Sequence, residues 1–273
     1  MANILFATTA RVDAGTLTAG GTLADTLPIA NLQAQQPGQV ARWTSLTGMY
    51  VVADLLEAAA INLVALLAHN GTSAATWRIR AAATEADLTA APGFDTGAVF
   101  ESVWPSSGRP SPGYDDERLH SIRYLSPAQS FRYWRIDVED AANPAGYFEA
   151  GRLVIDAAWQ PERNLRHDWD LGHDDPAEPR LAALGHLWPG PESRPARVFE
   201  CAVRGMTEDD AANGYEILRR RGRRGDLLVV RNPELTTHLQ RNVVYGLLLE
   251  PGRVRRIAHN YYEQPFKLRE FPV

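Results

Sequence analysis

The segment from His167 to Asp175, with the sequence His-Asp-Trp-Asp-Leu-Gly-His-Asp-Asp, is the densest run of metal-binding residue types in the chain. Imidazole and carboxylate groups are good ligands for zinc or manganese. Strand-like alternation, however, places His167 on one face and Asp168 and Asp170 on the other. The spacing of His167 and His173 also fits no short metal signature. We therefore expect no metal site and no cofactor.

Catalytic chemistry has little support in the sequence. The chain has no Gly-x-Ser-x-Gly elbow, no zincin motif and no P-loop. Asp115, Asp116 and Glu117 follow one another in a loop rich in Pro and Gly, where solvated charge is the ordinary explanation and a pair of glycosidase carboxylates is the alternative. Cys201, the only cysteine, lies in a strand pattern over residues 198–203 and is expected to be a buried structural thiol. We expect no catalytic residues and no enzyme.

Arginine supplies nearly all of the positive charge, because Lys267 is the only lysine. Codon usage in a high-GC genome explains this bias, and arginine also suits permanent protein interfaces. A formal net charge of −5 argues against binding nucleic acid through bulk charge. The expected contacts between subunits are two arginine clusters: Arg219, Arg220, Arg221, Arg223 and Arg224 at the end of a helix, and Arg253, Arg255 and Arg256 after a Pro-Gly turn.

Composition predicts a folded protein of two compact domains. The chain has 273 residues, of which 45% are hydrophobic and 22% charged, so wholesale disorder is excluded. The N-terminus has neither the charged region nor the long apolar core of a signal peptide. The longest apolar run, Ala58–Ala68, contains Asn62 and is too short to span a bilayer. We expect no export signal and no membrane insertion.

The elements that must position any site are mostly strands. Residues 132–155 predict a β-hairpin around the turn residues Asn143 to Gly146. Alternation puts Tyr133, Arg135 and Asp137 on one face of the first strand and Trp134, Ile136 and Val138 on the other. Further short strands upstream have the spacing of an antiparallel sandwich. We therefore expect a mainly β fold.

The C-terminal half predicts one prominent α-helix within further strands. Thr207 is placed to cap its N-terminus, and Gly222 is placed to end it. Ala211, Tyr215 and Leu218 are expected to form its apolar stripe. The expected division is residues 1–27, which complete the C-terminal domain, residues 28–158, which form the sandwich, and residues 159–273, which form a β-rich scaffold domain.

Residues 28–155 resemble a galactose-binding-like jelly-roll sandwich of the discoidin (F5/8 type C) family. The matching text, in chain order, is Asn31-Leu, Arg42-Trp-Thr-Ser, Tyr50-Val-Val-Ala-Asp-Leu, Ile61-Asn-Leu-Val-Ala-Leu, His69-Asn-Gly, Trp77-Arg-Ile-Arg and the Tyr-Trp-Arg-Ile and Gly-Arg-Leu pieces of residues 132–155. In that family, ligands usually meet loops at one end of the sandwich. The resemblance thus points to residues 69–73 and 101–118.

Carbohydrate binding at those loops is the first site hypothesis. Aromatic side chains can stack on sugar faces while Asn and Arg hydrogen-bond to hydroxyls. The candidate contacts are His69, Asn70, Trp104, Arg109 and Tyr114. Trp43, Trp77 and Trp134 lie in strand-like text and are expected in the core instead.

The whole chain is similar to minor tail proteins of long-tailed (siphovirus-like) phages and prophages. Its C-terminal part resembles the distal tail protein class in residues 197–203, in the acidic-start helix, and in residues 225–233 and 242–247. This resemblance implies a structural virion protein at the tail tip, assembled in the host cytoplasm. It implies a homo-oligomeric ring, a hexamer in that family, whose partners are the tail tube protein and the tail-tip hub proteins. The alternative is a tail protein that binds host surface glycans for adsorption.

Overall fold

The computed structural model describes residues 2–8, 10–97, 101–102, 119–177, 180–181, 185–188, 190, 195–235, 239–250 and 252–272. These residues form two compact units. The first unit takes its residues from 1–160 and 226–243, and the second takes its residues from 161–225 and 244–272. Both units are built mainly from strands, so the prediction of a mainly β protein is confirmed.

The strands of the described residues are, in chain order, β1 Leu5–Ala7, β2 Thr16–Gly20, β3 Ala41–Trp43, β4 Met49–His69, β5 Thr76–Ala82, β6 Phe94–Asp95, β7 Glu101–Ser102, β8 Leu119–Glu139, β9 Phe148–Ala150, β10 Arg152–Asp156, β11 Asp170–Asp174, β12 Arg180–Leu181, β13 Leu187–Trp188, β14 Ala196–Met206, β15 Asp226–Val230, β16 Val243–Glu250, β17 Arg255–Ala258 and β18 Tyr261–Glu270. The helices are α1 Ala10–Ala14, α2 Asp87–Ala90, α3 Glu208–Arg221 and α4 Leu239–Asn242, with a 3₁₀ turn at Ile29–Gln33.

The first unit is an antiparallel sandwich. Its main sheet has the order β10-β4-β8-β5-β6, with β2 on β4 and β7 on β5, and the short pair β3-β9 lies apart from it. One apolar cluster contains Trp43 and Phe148 from the short pair together with Val51, Leu66 and Trp134 from the main sheet. Trp77 belongs to the same cluster, so the expected core positions of all three tryptophans are confirmed.

The predicted hairpin at residues 132–155 is wrong. The turn at Asn143–Gly146 exists, with hydrogen bonds from Asn143 N to Asp140 O and from Gly146 N to Asn143 O. The strands on either side of it, however, pair with other partners: β8 pairs with β4 and β5, β9 with β3, and β10 with β4. The turn therefore carries the chain from one layer of the sandwich to the other rather than back along β8.

Both long strands of the main sheet change direction at a shared corner. The pairing of β4 with β8 shifts register between Asp54 and Ala59, and Leu56 has a φ of +68° there. The Asp54 carboxylate accepts the Leu56 amide at 2.8 Å and two hydrogen bonds from Arg132, each at 2.7 Å. Bulges bend strands and increase their twist. The corner lets both halves of β4 contribute side chains to one core, and sequence patterning showed them only as two separate strands.

The N-terminal residues are tied into the first unit by a buried charge cluster. The Arg152 guanidinium donates to both oxygens of Asp13, at 2.7 and 2.8 Å, and to Asp226 Oδ2 at 2.9 Å. Arg152 and Asp226 are fully buried. Strand β1 also pairs with β15, and β2 pairs with β4. Arg152 thus connects α1, β10 and β15.

The second unit is an antiparallel sheet with one helix on it. The sheet runs β16-β18-β14-β11, and β17 pairs with the first residues of β18. Helix α3 begins after Thr207, whose hydroxyl accepts the Asp210 amide, and ends at Gly222, whose φ is +49°. Both predicted caps are confirmed. The predicted apolar stripe is wrong in one respect, because Tyr215 is 57% exposed while Gly214 and Ile217 are buried.

Replacing Arg152 with Ala is expected to lower the free energy of unfolding by about 3–5 kcal/mol, because the substitution removes a buried guanidinium that donates to both Asp13 and Asp226. Urea denaturation followed by tryptophan fluorescence measures the loss. The matched control is Arg219→Ala, which removes an arginine whose side chain is 58% exposed and should leave the denaturation midpoint unchanged. Equal midpoints for the two variants would contradict the structural role of Arg152.

Candidate functional site

The face of the main sheet that points away from the core carries a dense set of charged and aromatic side chains. Trp134, Ile136 and Val138 of β8 point into the core, so the predicted alternation of β8 is confirmed. The register places the opposite-facing residues of β8 beside those of β4 and β5. We call this set the arginine–tyrosine surface; it consists of Tyr50, Asp54, Arg78, Arg80, Asp95, Arg132, Tyr133, Arg135 and Asp137.

Asp137 is the central acceptor of this surface. Arg135 donates from Nε and Nη2 to Asp137 Oδ1 at 2.9 and 2.7 Å. Arg80 donates from Nη2 to Asp137 Oδ2 at 2.7 Å and from Nη1 to the Leu88 carbonyl at 3.0 Å. The Arg80 and Asp137 side chains are about nine-tenths buried. Charge-assisted hydrogen bonds of this kind fix the orientation of each planar group.

Two more bidentate pairs extend the surface on either side. Arg78 binds Asp95 through Nε and Nη2, and Arg132 binds Asp54 through the same two nitrogens. The hydrogen bonds from Arg78 hold the pKa of Asp95 below its ordinary value, and those from Arg132 do the same for the pKa of Asp54. Both carboxylates therefore stay ionised across the neutral range.

Arg78, Arg132 and Arg135 share one geometry. In each case Nε and Nη2 are used by an aspartate, and Nη1 has no acceptor among the described residues. These three side chains are 22%, 40% and 17% exposed, respectively. Each Nη1 is therefore a donor held in a fixed direction and reachable by a ligand. Arg78 and Arg132 each have an aspartate of their own, while Arg135 shares Asp137 with Arg80. Most of the guanidinium charge is therefore matched, and the surface suits a hydroxyl-rich ligand better than a strongly anionic one.

The tyrosines support the guanidinium planes. The Arg135 guanidinium carbon lies 3.6 Å from the centre of the Tyr50 ring, and that of Arg132 lies 4.8 Å from the centre of the Tyr133 ring. The Tyr50 ring also covers Gly20, where a Cβ would come within 2.0 Å of the ring. Stacking of this type adds to the rigidity of the arginines. Sequence alternation placed Tyr133, Arg135 and Asp137 together, but nothing in the sequence indicated their partners on β4 and β5.

His69, predicted as a loop contact for sugars, is a core residue. It is the last residue of β4 and has no exposed surface. Its Nε2 lies 2.8 Å from the Ser121 hydroxyl, its Nδ1 accepts the Gly71 amide at 3.1 Å, and its ring stacks on Phe148. The prediction that this side chain lies in a surface loop is wrong, because the strand continues through it.

Asn70 holds the sandwich loops together. Its side-chain oxygen accepts the Glu149 amide at 2.8 Å, and its side-chain nitrogen donates to the Tyr147 carbonyl at 3.0 Å. The backbone oxygen of Asn70 accepts a hydrogen bond from Asn143. Asn70 is partly exposed, so a role in ligand binding stays a prediction. Trp104, Arg109 and Tyr114, together with the acidic residues 115–117, lie outside the described residues.

A small apolar cavity lies inside the sandwich. Its volume is about 10 Å³, and it is lined by residues that include Trp43, Met49, Leu66 and Phe148. This space is comparable to that of one water molecule. The cavity is therefore too small for a sugar ring, and the surface is the place to look for a ligand.

The two arginine clusters lie in the second unit. Arg219 and Arg220 pair with Glu216 on α3, at 2.8 and 3.2 Å. Arg223 and Arg224 follow the helix and are exposed, and Arg221 is partly buried. Arg253, Arg255 and Arg256 are exposed on and before β17. The structure contains a single chain, so their predicted role between subunits stays a prediction.

The structure also locates the remaining reactive residue types. Cys201 is buried, as predicted, and burial together with the nearby Glu200 carboxylate raises the pKa of its thiol to about 12. Residues 170–174 form the exposed strand β11. Across the described ranges, no group of three or more His, Cys, Asp and Glu side chains is placed to hold a metal ion. None of the described helices is long and apolar enough to cross a membrane.

Comparisons with known proteins give structural neighbours only. No family model and no curated protein matches the chain. The family 32 carbohydrate-binding module of Clostridium perfringens NanJ, solved with galactose, is 10% identical and matches 56% of this chain and 98% of its own, with a TM-score of 0.39. The lectin domain of lectinolysin, solved with Lewis B antigen, is 8% identical over 54% of this chain and 95% of its own, with a TM-score of 0.37.

A fucolectin from the serum of striped bass (Morone saxatilis) is 9% identical over 73% of this chain and 71% of its own, with a TM-score of 0.39. These neighbours are carbohydrate-binding modules and lectins of the galactose-binding-like type. TM-scores below 0.5 carry no argument about what this chain binds. None of these three structures is a phage tail protein.

Protonation of His69 is expected to make folding less favourable in acid. Burial, reinforced by the nearby His120, lowers the pKa of His69 to about 3. Between pH 6.5 and 3 the unfolded chain binds a proton that the folded chain excludes, so stability falls as the pH falls, by up to about 1.4 kcal/mol per pH unit. Urea titrations at pH 7, 6 and 5 should show a steeper fall for the native chain than for His69→Gln. The exposed-histidine control, His173→Gln, should behave like the native chain; equal slopes for all three proteins would contradict this prediction.

The Cys201 thiol is expected to be inert in the folded protein, because a raised pKa removes the reactive thiolate and burial blocks access. Modification by a thiol-specific dye should proceed at least tenfold more slowly in buffer than in denaturant. Rapid labelling of the folded chain would show that β14 opens.

Proposed function

We propose that the sandwich of the first unit binds carbohydrate and that the arginine–tyrosine surface is its binding site. The observation that carries the proposal is a set of three guanidinium groups, on Arg78, Arg132 and Arg135. In each group an aspartate holds Nε and Nη2, and the Nη1 donor has no acceptor among the described residues. Preorganised donors lose little entropy on binding, and sugar hydroxyls accept such hydrogen bonds.

The loop residues that the sequence predicts as carbohydrate contacts are a second possible location of the binding site in this proposal. Trp104 and Tyr114 are proposed to stack on sugar rings, while Arg109 and Asn70 are proposed to hydrogen-bond to hydroxyls. The loop and the sheet face are different surfaces of one sandwich. A binding measurement on variants of each one separates them.

Glycan-array binding of the full chain is the test, followed by titration of any sugar that binds. Arg78→Gln and Arg132→Gln are each expected to weaken binding about tenfold or more, because each removes a charged donor. The matched control is Arg42→Gln. Arg42 also makes a two-nitrogen contact with a carboxylate, Glu149, and stacks on Tyr147, but it lies on β3 in the other layer.

Loss of binding in Trp104→Ala alone would move the site to the loop. Loss in all variants, including Arg42→Gln, would indicate a folding effect, which circular dichroism detects. Absence of binding by the native chain to every sugar on the array would overturn the proposal of a carbohydrate-binding function.

The second candidate function is a non-catalytic structural role in a phage tail tip, as the sequence resemblance implies. The observation that favours it is the pair of arginine clusters, most of whose residues are exposed on the second unit. In this proposal the chain forms a ring, a hexamer by resemblance, between the tail tube protein and the tail-tip hub proteins, and the sandwich faces host glycans. Negative-stain images of the purified chain test it: rings support the proposal, and particles of one chain at all concentrations oppose it.

A further inference from the structure

We propose that strand β11 of one copy of this chain pairs with strand β17 of another copy, so that the sheet of the second unit continues from chain to chain. The inference concerns the assembly proposed as the second candidate function and does not depend on carbohydrate binding. It rests on two strands of the second unit, β17 and β11, which carry opposite charge and each have one side without a partner strand among the described residues.

The basic edge is β17. All four of its residues are exposed, and the strand pairs only with the first residues of β18 in the described part of the chain. Arg255 has no ion pair among the described residues, and Arg256 contacts only the Ala258 carbonyl and His259 there. The side chains of Ile257 and Tyr261 on this hairpin are 39% and 43% exposed. Strand β18 pairs with β14 on its other side, so β17 is the outer strand of this part of the sheet, and its outer backbone groups are open to a further strand.

The acidic edge is β11. One side of β11 pairs with β14, and its other side has no partner strand within the ranges that the structure describes. Asp170, His173 and Asp174 are exposed. Asp174 lies 3.3 Å from Arg269, but its side chain is 54% exposed, and such a surface pair contributes little. The strand has five residues and β17 has four, so the two edges match in length.

Charge decides which strand can join each edge. Charged side chains on an edge usually prevent pairing, because like edges repel each other. Here the edges differ in sign, with Asp170 and Asp174 on one and Arg255 and Arg256 on the other. Contact between two β17 edges or two β11 edges is disfavoured, while contact between β11 and β17 is attractive. A second copy of the chain supplies each edge with its complement.

Strand direction agrees with this arrangement. Strands β17, β18, β14 and β11 are antiparallel to their neighbours in turn. Strand β17 therefore runs opposite to β11, and copies placed side by side in the same orientation would join them as an antiparallel pair. The contact is heterologous, with a different surface on each partner.

Strands β17 and β11 also lie at different positions along the strand direction of the sheet. Strand β17 pairs with Tyr262, near the start of β18. The middle of β11 pairs with Val198 of β14, and Val198 pairs with Arg269, near the end of β18. Successive copies must therefore be staggered along the strand direction. Stagger is required to close a sheet into a barrel, so repetition of this contact is compatible with a ring.

The test uses charge reversal on the full chain, with mass measured by light scattering after size-exclusion chromatography. The native chain should self-associate more at higher protein concentration and less at higher salt. The basic-edge variant, Arg255→Glu with Arg256→Glu, should be a monomer, and so should the acidic-edge variant, Asp170→Arg with Asp174→Arg. An equimolar mixture of the two variants should associate again, because each edge then meets an edge of opposite sign.

The matched control is Glu57→Arg with Glu85→Arg, which makes the same change in net charge as the acidic-edge variant at exposed residues of the first unit and should associate like the native chain. Thermal unfolding confirms that the variants fold, and glycan binding, measured in parallel, should be the same for the native chain and all variants. A native chain that stays monomeric at its highest soluble concentration overturns the inference. So do edge variants that associate normally, or a mixture that stays monomeric.

Discussion

The Arg152 guanidinium, buried between the carboxylates of Asp13 and Asp226, is the interaction on which the first unit depends. These residues come from the beginning, the middle and the last quarter of the chain. A buried arginine is tolerated only when nearby carboxylates match its charge. The charge of Arg152 on β10 is therefore matched by Asp13 from the N-terminal residues and by Asp226 at the start of β15. The sandwich is in this sense a product of the whole chain rather than of residues 28–158 alone.

Arginine–aspartate pairs also fix the geometry of the sandwich at its surface. At the corner of β4 and β8, Arg132 and Asp54 hold a bend that Leu56 enters with a positive φ. The bend brings two halves of one strand around one core. Beyond the corner, Arg78, Arg80 and Arg135 are paired with Asp95 and Asp137 across strands β5, β6 and β8. Every carboxylate there fixes a guanidinium, so a structural network leaves oriented donors at the surface.

Burial distinguishes residues that can contact a ligand from residues that only resemble functional residues in the sequence. His69, next to Asn70 and Gly71 in the sequence, has the composition of a polar loop, yet its imidazole is neutral and enclosed. Arg135, within a strand, looks structural in the sequence but reaches the surface beside Tyr50. The second unit shows the same separation, because Tyr215 lies on the expected apolar stripe of α3 and is exposed.

Local patterns in the sequence determined the strand-rich composition, the alternation of β8, the caps of α3 and the burial of Cys201, Trp43, Trp77 and Trp134. Each of these depends on residues within a few positions of one another, where alternation, capping and hydrophobicity act directly. Only the tertiary structure decided that residues 143–146 connect layers instead of closing a hairpin, that His69 is enclosed, and that Arg78, Arg132 and Arg135 share one surface. Strand partners and charge partners are chosen by the packing of the whole core, between residues as distant in the chain as Leu5 and Val230, and no periodicity in the sequence records that choice.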